Sequence, residues 1–153
     1  MPRNRALLRL RRLGRDRRGA TAVEFALILP VLIVALVGLA DYGLMVYDSN
    51  ELENAARAGA QYALKGHDES EDDAAIEDAA LAALPDGTGV AVAVSRACLC
   101  PDGTGATCGD ECTDEVPAGR YVTVRLDRDY VPLFGFILDN PTPLAAEAKM
   151  RIQ

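Results

Sequence analysis

Four cysteines, Cys98, Cys100, Cys108 and Cys112, stand close together in a run rich in Gly, Asp and Thr. Residues of this type can form disulfides, hold a metal as thiolates or carry thiol redox chemistry. Cys-x-Cys and Cys-x-x-x-Cys depart from the paired spacing of a zinc knuckle, and the Cys-x-x-Cys of a redox pair is absent. An even count in an oxidising compartment points to two disulfides. Bridging Cys98 to Cys100 would need a strained small ring, which leaves Cys98–Cys112 with Cys100–Cys108, or the crossed alternative. A closed loop of about 15 residues is worth roughly 3 kcal/mol in the chain-entropy model. The single histidine, His67, sits in a polar stretch with no ligand or nucleophile near it in sequence. The acids from Asp68 to Asp73 fail the EF-hand register, because its sixth position is Asp73 and not glycine. No G-x-S-x-G, H-E-x-x-H or phosphate-binding glycine loop occurs. The expectation is a protein without catalysis, cofactor, metal or small-molecule substrate.

A different chemistry is offered by Glu24. From Ala20 to Ala40 the chain is apolar and carries only this one charge. At 1.5 Å per residue the stretch spans roughly 31 Å, the hydrocarbon thickness of a bilayer. An ionisable group inside a span costs a few kcal/mol and is usually kept for a task. Before it stand eight arginines, Arg3 to Arg18, against one acid, Asp16, a charge of +7. Arginine resists translocation, so this end is expected in the cytoplasm and everything after Ala40 outside it. Residues 19–153 hold 8 basic and 22 acidic residues, a balance of −14, which argues against nucleic acid as a partner. Gly38-Leu39-Ala40 offers a secretory cleavage site, but Glu24 within the apolar region and the apolar continuation beyond Ala40 argue for a retained helix. The residues after Arg17-Arg18 lack the bulky apolar pattern of a twin-arginine signal.

Arg17-Arg18-Gly19-Ala20-Thr21-Ala22-Val23-Glu24-Phe25, followed by an apolar helix with Pro30, resembles the processing site of type IV pilins. The Glu-Phe pair is similar to the Tad/Flp subclass. Asn54-Ala55-Ala56-Arg57-Ala58-Gly59-Ala60-Gln61-Tyr62-Ala63 resembles the segment that follows the span in TadE-like proteins. The chain is thus identified as TadE-like, a minor pseudopilin of the Tad (type IVc) pilus system. That resemblance implies cleavage by prepilin peptidase between Gly19 and Ala20. It also implies residence in the bacterial inner membrane, association with the pilus, and other pseudopilins or pilins of the system as partners. A cut there would create an amine on Ala20 with a pKa of about 7.7 to 8, one helical turn from Glu24, which could neutralise it. The contrasting reading is a single-pass or secreted binding module whose stapled loop recognises a ligand outside any filament.

These residues need elements to position them. Leu44, Tyr47, Leu52, Ala55, Ala56, Gly59 and Tyr62 recur at three- and four-residue intervals, the stripe of an amphipathic helix continuous with the span. Ala55, Ala56, Gly59 and Tyr62 are the candidate packing positions, small enough to admit another backbone, from this chain's own sheet or from a partner. Ser70 with Asp73 predicts a capped second helix, stopped by Pro85-Asp86-Gly87. Period-two alternation around Val90–Val94, Val122–Leu126 and Leu144–Ile152 predicts three strands. The fold class expected is α+β: a long N-terminal transmembrane and amphipathic helix, a short second helix and a three-stranded antiparallel sheet, a pilin-like lollipop. The boundaries read from sequence are a basic leader at 1–19, a helix at 20–64 and an exported α+β domain at 65–153 with its cysteine loop at 98–112.

Overall fold

The computed structural model describes residues 19–66, 71–112, 116–135 and 141–152. The arginine leader up to Arg18, His67, and Ser70 of the expected capping box lie outside the described residues. The chain divides into two compact units, Met1–Ala40 and Asp41–Gln153.

Helix α1, Ala20–Tyr62, runs through both sequence ranges without interruption. Pro30 removes one backbone donor within it, a loss that apolar spans tolerate because neighbouring groups re-satisfy the freed carbonyl. The helix stops two residues short of the expected Leu64, where the Ala63 and Leu64 amides turn back to the carbonyls of Gly59 and Gln61. Helix α2, Asp73–Leu81, begins at Asp72, whose carboxylate accepts the Ala75 amide at 3.0 Å. The cap satisfies a donor that the first turn leaves orphaned. Its acidic start is also neutralised across space, because Arg96 pairs with Asp73, and Arg120 with Glu71 at 3.0 Å.

Three long strands follow the alternating runs: β1 at Ala91–Leu99, β3 at Gly119–Tyr130 and β4 at Thr142–Ile152. The alternation points to three strands, but the antiparallel sheet has four, in the order β2-β1-β3-β4. The additional strand, β2, is Gly105–Ala106, which pairs with the end of β1 through Cys98 opposite Ala106 and Leu99 opposite Gly105. A two-residue strand has no period to read. It forms because covalent bonds hold the cysteine loop against β1.

Register places the apolar residues of neighbouring strands side by side: Val94, Val124 and Ala148 in one row, Val92, Leu126 and Ala146 in the next. The opposite face carries Thr123, Arg125, Glu147 and Lys149, with Arg125 donating to Asp127 along its own strand. Lys149 also stands over the ring of Tyr121 at 5.2 Å. Such a face suits solvent, and the apolar face needs a cover. Leu52, Ala55, Ala56, Ala60 and Ala63 of α1, with Ile76 and Ala80 of α2, supply it in one buried cluster with Val122, Val124, Leu126, Ala148 and Ile152.

Candidate functional site

The apolar half of α1 is exposed on every side. Val23, Phe25, Leu27, Ile28, Val31, Ile33 and Leu36 are all more than half exposed, within a helix long and apolar enough to cross a membrane. A helix that is hydrophobic all round belongs in a hydrophobic solvent. It has the length and composition of a membrane anchor. Gly19 stands directly before the first helical residue, Ala20, and Glu24 and Phe25 follow at the end of the first turn, both exposed. Among the described residues nothing lies within 4 Å of where a Cβ on Gly19 would be.

The packing positions lie at the other end of the helix. Ala55 and Ala56 are fully buried, Gly59 is buried and Tyr62 is half-buried with its ring against the core and under the Lys65 ammonium at 4.3 Å. All four pack within this chain's own body, against α2 and the sheet. The stripe divides there: Leu44 and Tyr47, on the same periodic face, remain exposed.

The cysteines come together as two crossed bridges, Cys98–Cys108 and Cys100–Cys112, with Cα atoms 5.2 and 5.8 Å apart. Of the two pairings left open by spacing, this is the crossed one. Between them the chain makes a tight turn at Pro101-Asp102-Gly103. The Gly103 amide reaches the Cys100 carbonyl at 2.9 Å, and Gly103 takes a φ of +85°, which an L side chain would resist. Asp102 accepts from the Thr104 amide and hydroxyl, and these bonds hold its carboxyl below the usual range. Among the described residues no group of His, Cys, Asp and Glu is arranged to hold a metal.

One residue that the sequence does not single out is central. Asp41, the first residue after the apolar stretch, is buried to 4% exposure. Its carboxylate accepts the Leu133 amide at 2.9 Å and the Phe134 amide at 3.2 Å, while its backbone carbonyl accepts the Tyr130 hydroxyl at 3.1 Å. The loop after β3 is thereby fastened to α1. In sequence, a carboxylate at the end of a span reads as a solvated boundary, and its partners lie 92 and 93 positions away. No local spacing signals the contact.

The positions of the anchor and of the helix that covers the sheet can now be set against known proteins. Residues 19–61 match the TadE-like protein family. No curated protein and no solved structure matches the chain. The TadE-like segment begins at Gly19 and ends one residue before the end of α1, so the similarity and the helix coincide. The match covers less than a third of the chain and, but for Gly19, lies within α1. The sheet, the second helix and the stapled loop lie beyond the TadE-like segment.

Proposed function

We propose that this chain is a minor pseudopilin that takes part in assembly of a Tad-type adhesive pilus. Prepilin peptidase cleaves it between Gly19 and Ala20. The arginine leader keeps the N-terminus in the cytoplasm, the helix after Ala20 sits in the bacterial inner membrane, and the α+β body faces the exported side. Other pseudopilins or pilins of the system dock on the apolar helix. The role is structural and non-catalytic. The observation that carries this reading is the coincidence of the TadE-like match, residues 19–61, with one uninterrupted helix whose first residue is Ala20. Glu24 stands one turn from the amine that the cut would create, where it can neutralise that charge in a layer of low dielectric.

The test is the mature N-terminus of the chain recovered from membranes of a cell that carries the Tad peptidase. Intact-mass measurement is expected to place it at Ala20, and Gly19→Leu is expected to leave the full-length chain. A mature chain that starts at Met1 or Asp41 would refute the reading. The second reading, a membrane-anchored or secreted module that binds through its cysteine loop, draws its support from the position of that loop. It is stapled and exposed at the sheet edge, and lies outside the TadE-like segment.

A further inference from the structure

The loop that follows β3 exposes large apolar side chains beside the point where α1 ends its apolar stretch. Val131 is 64% exposed, Leu133 69% and Phe134 50%, whereas Pro132 between them is buried. Three bulky apolar groups turned outward around a buried proline need an apolar surrounding. We propose that this loop is a second membrane contact, which seats Leu133 and Phe134 in the phospholipid headgroup and upper acyl region where α1 leaves the bilayer. The proposal rests on the reading that the Ala20–Ala40 stretch spans a membrane.

Depth is the first argument. Counting 1.5 Å per residue from Ala20, the helix reaches the far side of the hydrocarbon at Ala40, and the outer edge of the headgroups, about 6 Å further on, near Leu44. Asp41 therefore falls at the boundary between hydrocarbon and headgroups. Its carboxylate holds the amides of Leu133 and Phe134 directly, so the loop is fixed at that same level. The exposed large side chains of α1 within that layer, Tyr42 and Leu44, are aromatic and apolar. Tyrosine prefers that layer.

Backbone satisfaction is the second argument. A loop that enters a layer of low dielectric must not carry unpaired amides, since each costs several kcal/mol there. Here the amides of Leu133 and Phe134 are already bonded inside the protein. The Tyr130 hydroxyl at the loop's start is bonded too. The carboxylate that serves them is itself shielded, so the charge is not what the lipid meets.

The chain contains no tryptophan, so a single one reports its own surroundings. Full-length chain carrying Phe134→Trp, Ile33→Trp or Val116→Trp is reconstituted in phosphatidylcholine vesicles with bromines placed either near the top of the acyl chains or near their ends. Ile33→Trp, in the middle of the span, is expected to be quenched by the deep bromines, and Val116→Trp, on the cysteine-loop side, by neither. Phe134→Trp is expected to lose about half its fluorescence to the shallow bromines and less to the deep ones, as for a group some 5–10 Å into the headgroup boundary. If Ile33→Trp is quenched and Phe134→Trp is not, the loop contact is overturned, the span stands and the apolar loop faces protein instead. If Ile33→Trp is not quenched either, the span reading itself fails, and the proposal with it.

Discussion

Gly59 of α1 lies so close to Ala80 of α2 that a Cβ built on it would stand 2.9 Å from the Ala80 Cβ, with the Ile76 carbonyl oxygen at 3.2 Å and Val124 Cγ1 at 3.3 Å. The nearest of these neighbours is a methyl on a helix and the next is backbone, so neither can swing aside. Glycine normally costs a helix interior up to about 1 kcal/mol relative to alanine. At this position the close approach outweighs that cost.

Gly59→Ala is therefore expected to destabilise the body, by about 1–3 kcal/mol, as overpacking does, and Gly59→Leu to do so more strongly. Two positions away, Arg57→Ala removes only an exposed pair with Glu53 and is expected to change stability by less than about 0.5 kcal/mol. Urea unfolding of the full chain in detergent distinguishes the two. A Gly59→Ala variant more stable than the parent would mean that the helices are not in close contact.

The crossed bridges predict a definite peptide map. Cleavage after Leu99 and before Asp102 and Asp110 separates all four cysteines, so each bond joins two identifiable fragments. Without reductant, Cys98 is expected to travel with Cys108 and Cys100 with Cys112. Loops of this length stabilise by about 3 kcal/mol each in the chain-entropy model, and less together because they overlap. Reduction is thus expected to lower the unfolding midpoint and to release β2, which is paired at only two positions.

How much of this was legible from residue order depended on whether the interaction repeats. Val122, Val124 and Leu126 announce β3 because burial on one face of a strand imposes a period of two. Leu52, Ala55, Ala56 and Gly59 announce the covering helix for the matching reason at a period near 3.6. The even cysteine count and its compartment point to disulfides, but geometry alone selects the crossed pairing. Gly105–Ala106 has no period at all. Tyr130 meets Asp41 through a single hydroxyl donated to a backbone carbonyl 89 positions away, and the two residue types match those of ordinary boundary residues. Asp72 takes the capping role by standing at the entry to α2, whereas the Ser70–Asp73 spacing points to Ser70.

The Tyr130 hydroxyl links stability to pH. Burial first, and then the charges of Asp41 and Asp48, push its phenol above its ordinary value of 10.0. The folded state therefore keeps a proton that the unfolded chain releases. Its contribution is fully present below pH 10 and is lost as pH rises through the folded value. Stability is therefore expected to be flat with pH near neutrality and to fall in alkali. Tyr130→Phe is expected to cost about 0.5–1.5 kcal/mol at neutral pH, because the Asp41 carbonyl loses its donor. That difference from the parent is expected to shrink above pH 10, when both are followed by denaturant titration across the range. A constant difference would separate the hydroxyl from the effect.

Glu24 is the residue for which insertion and assembly make opposite demands. On insertion it is a cost, since a carboxylate in the apolar layer disfavours the span by a few kcal/mol. Glu24→Val is therefore expected to insert as well as the parent or better, measured by the fraction of chain that resists alkaline extraction from membranes. Assembly asks for the reverse. Once the chain begins at Ala20, a new ammonium stands at the end of an exposed apolar helix, and a carboxylate one turn away, or on a neighbouring subunit, lowers the cost of leaving it in a layer of low dielectric. Removing that carboxylate is expected to reduce pilus number while membrane content is unchanged, counted by electron microscopy beside the extraction assay. Glu24→Gln keeps the shape and a hydrogen-bonding oxygen but loses the charge. If Glu24→Gln assembles like the parent while Glu24→Val does not, hydrogen bonding and not charge is the requirement. If both assemble normally, the carboxylate has no part in docking and the amine is neutralised elsewhere.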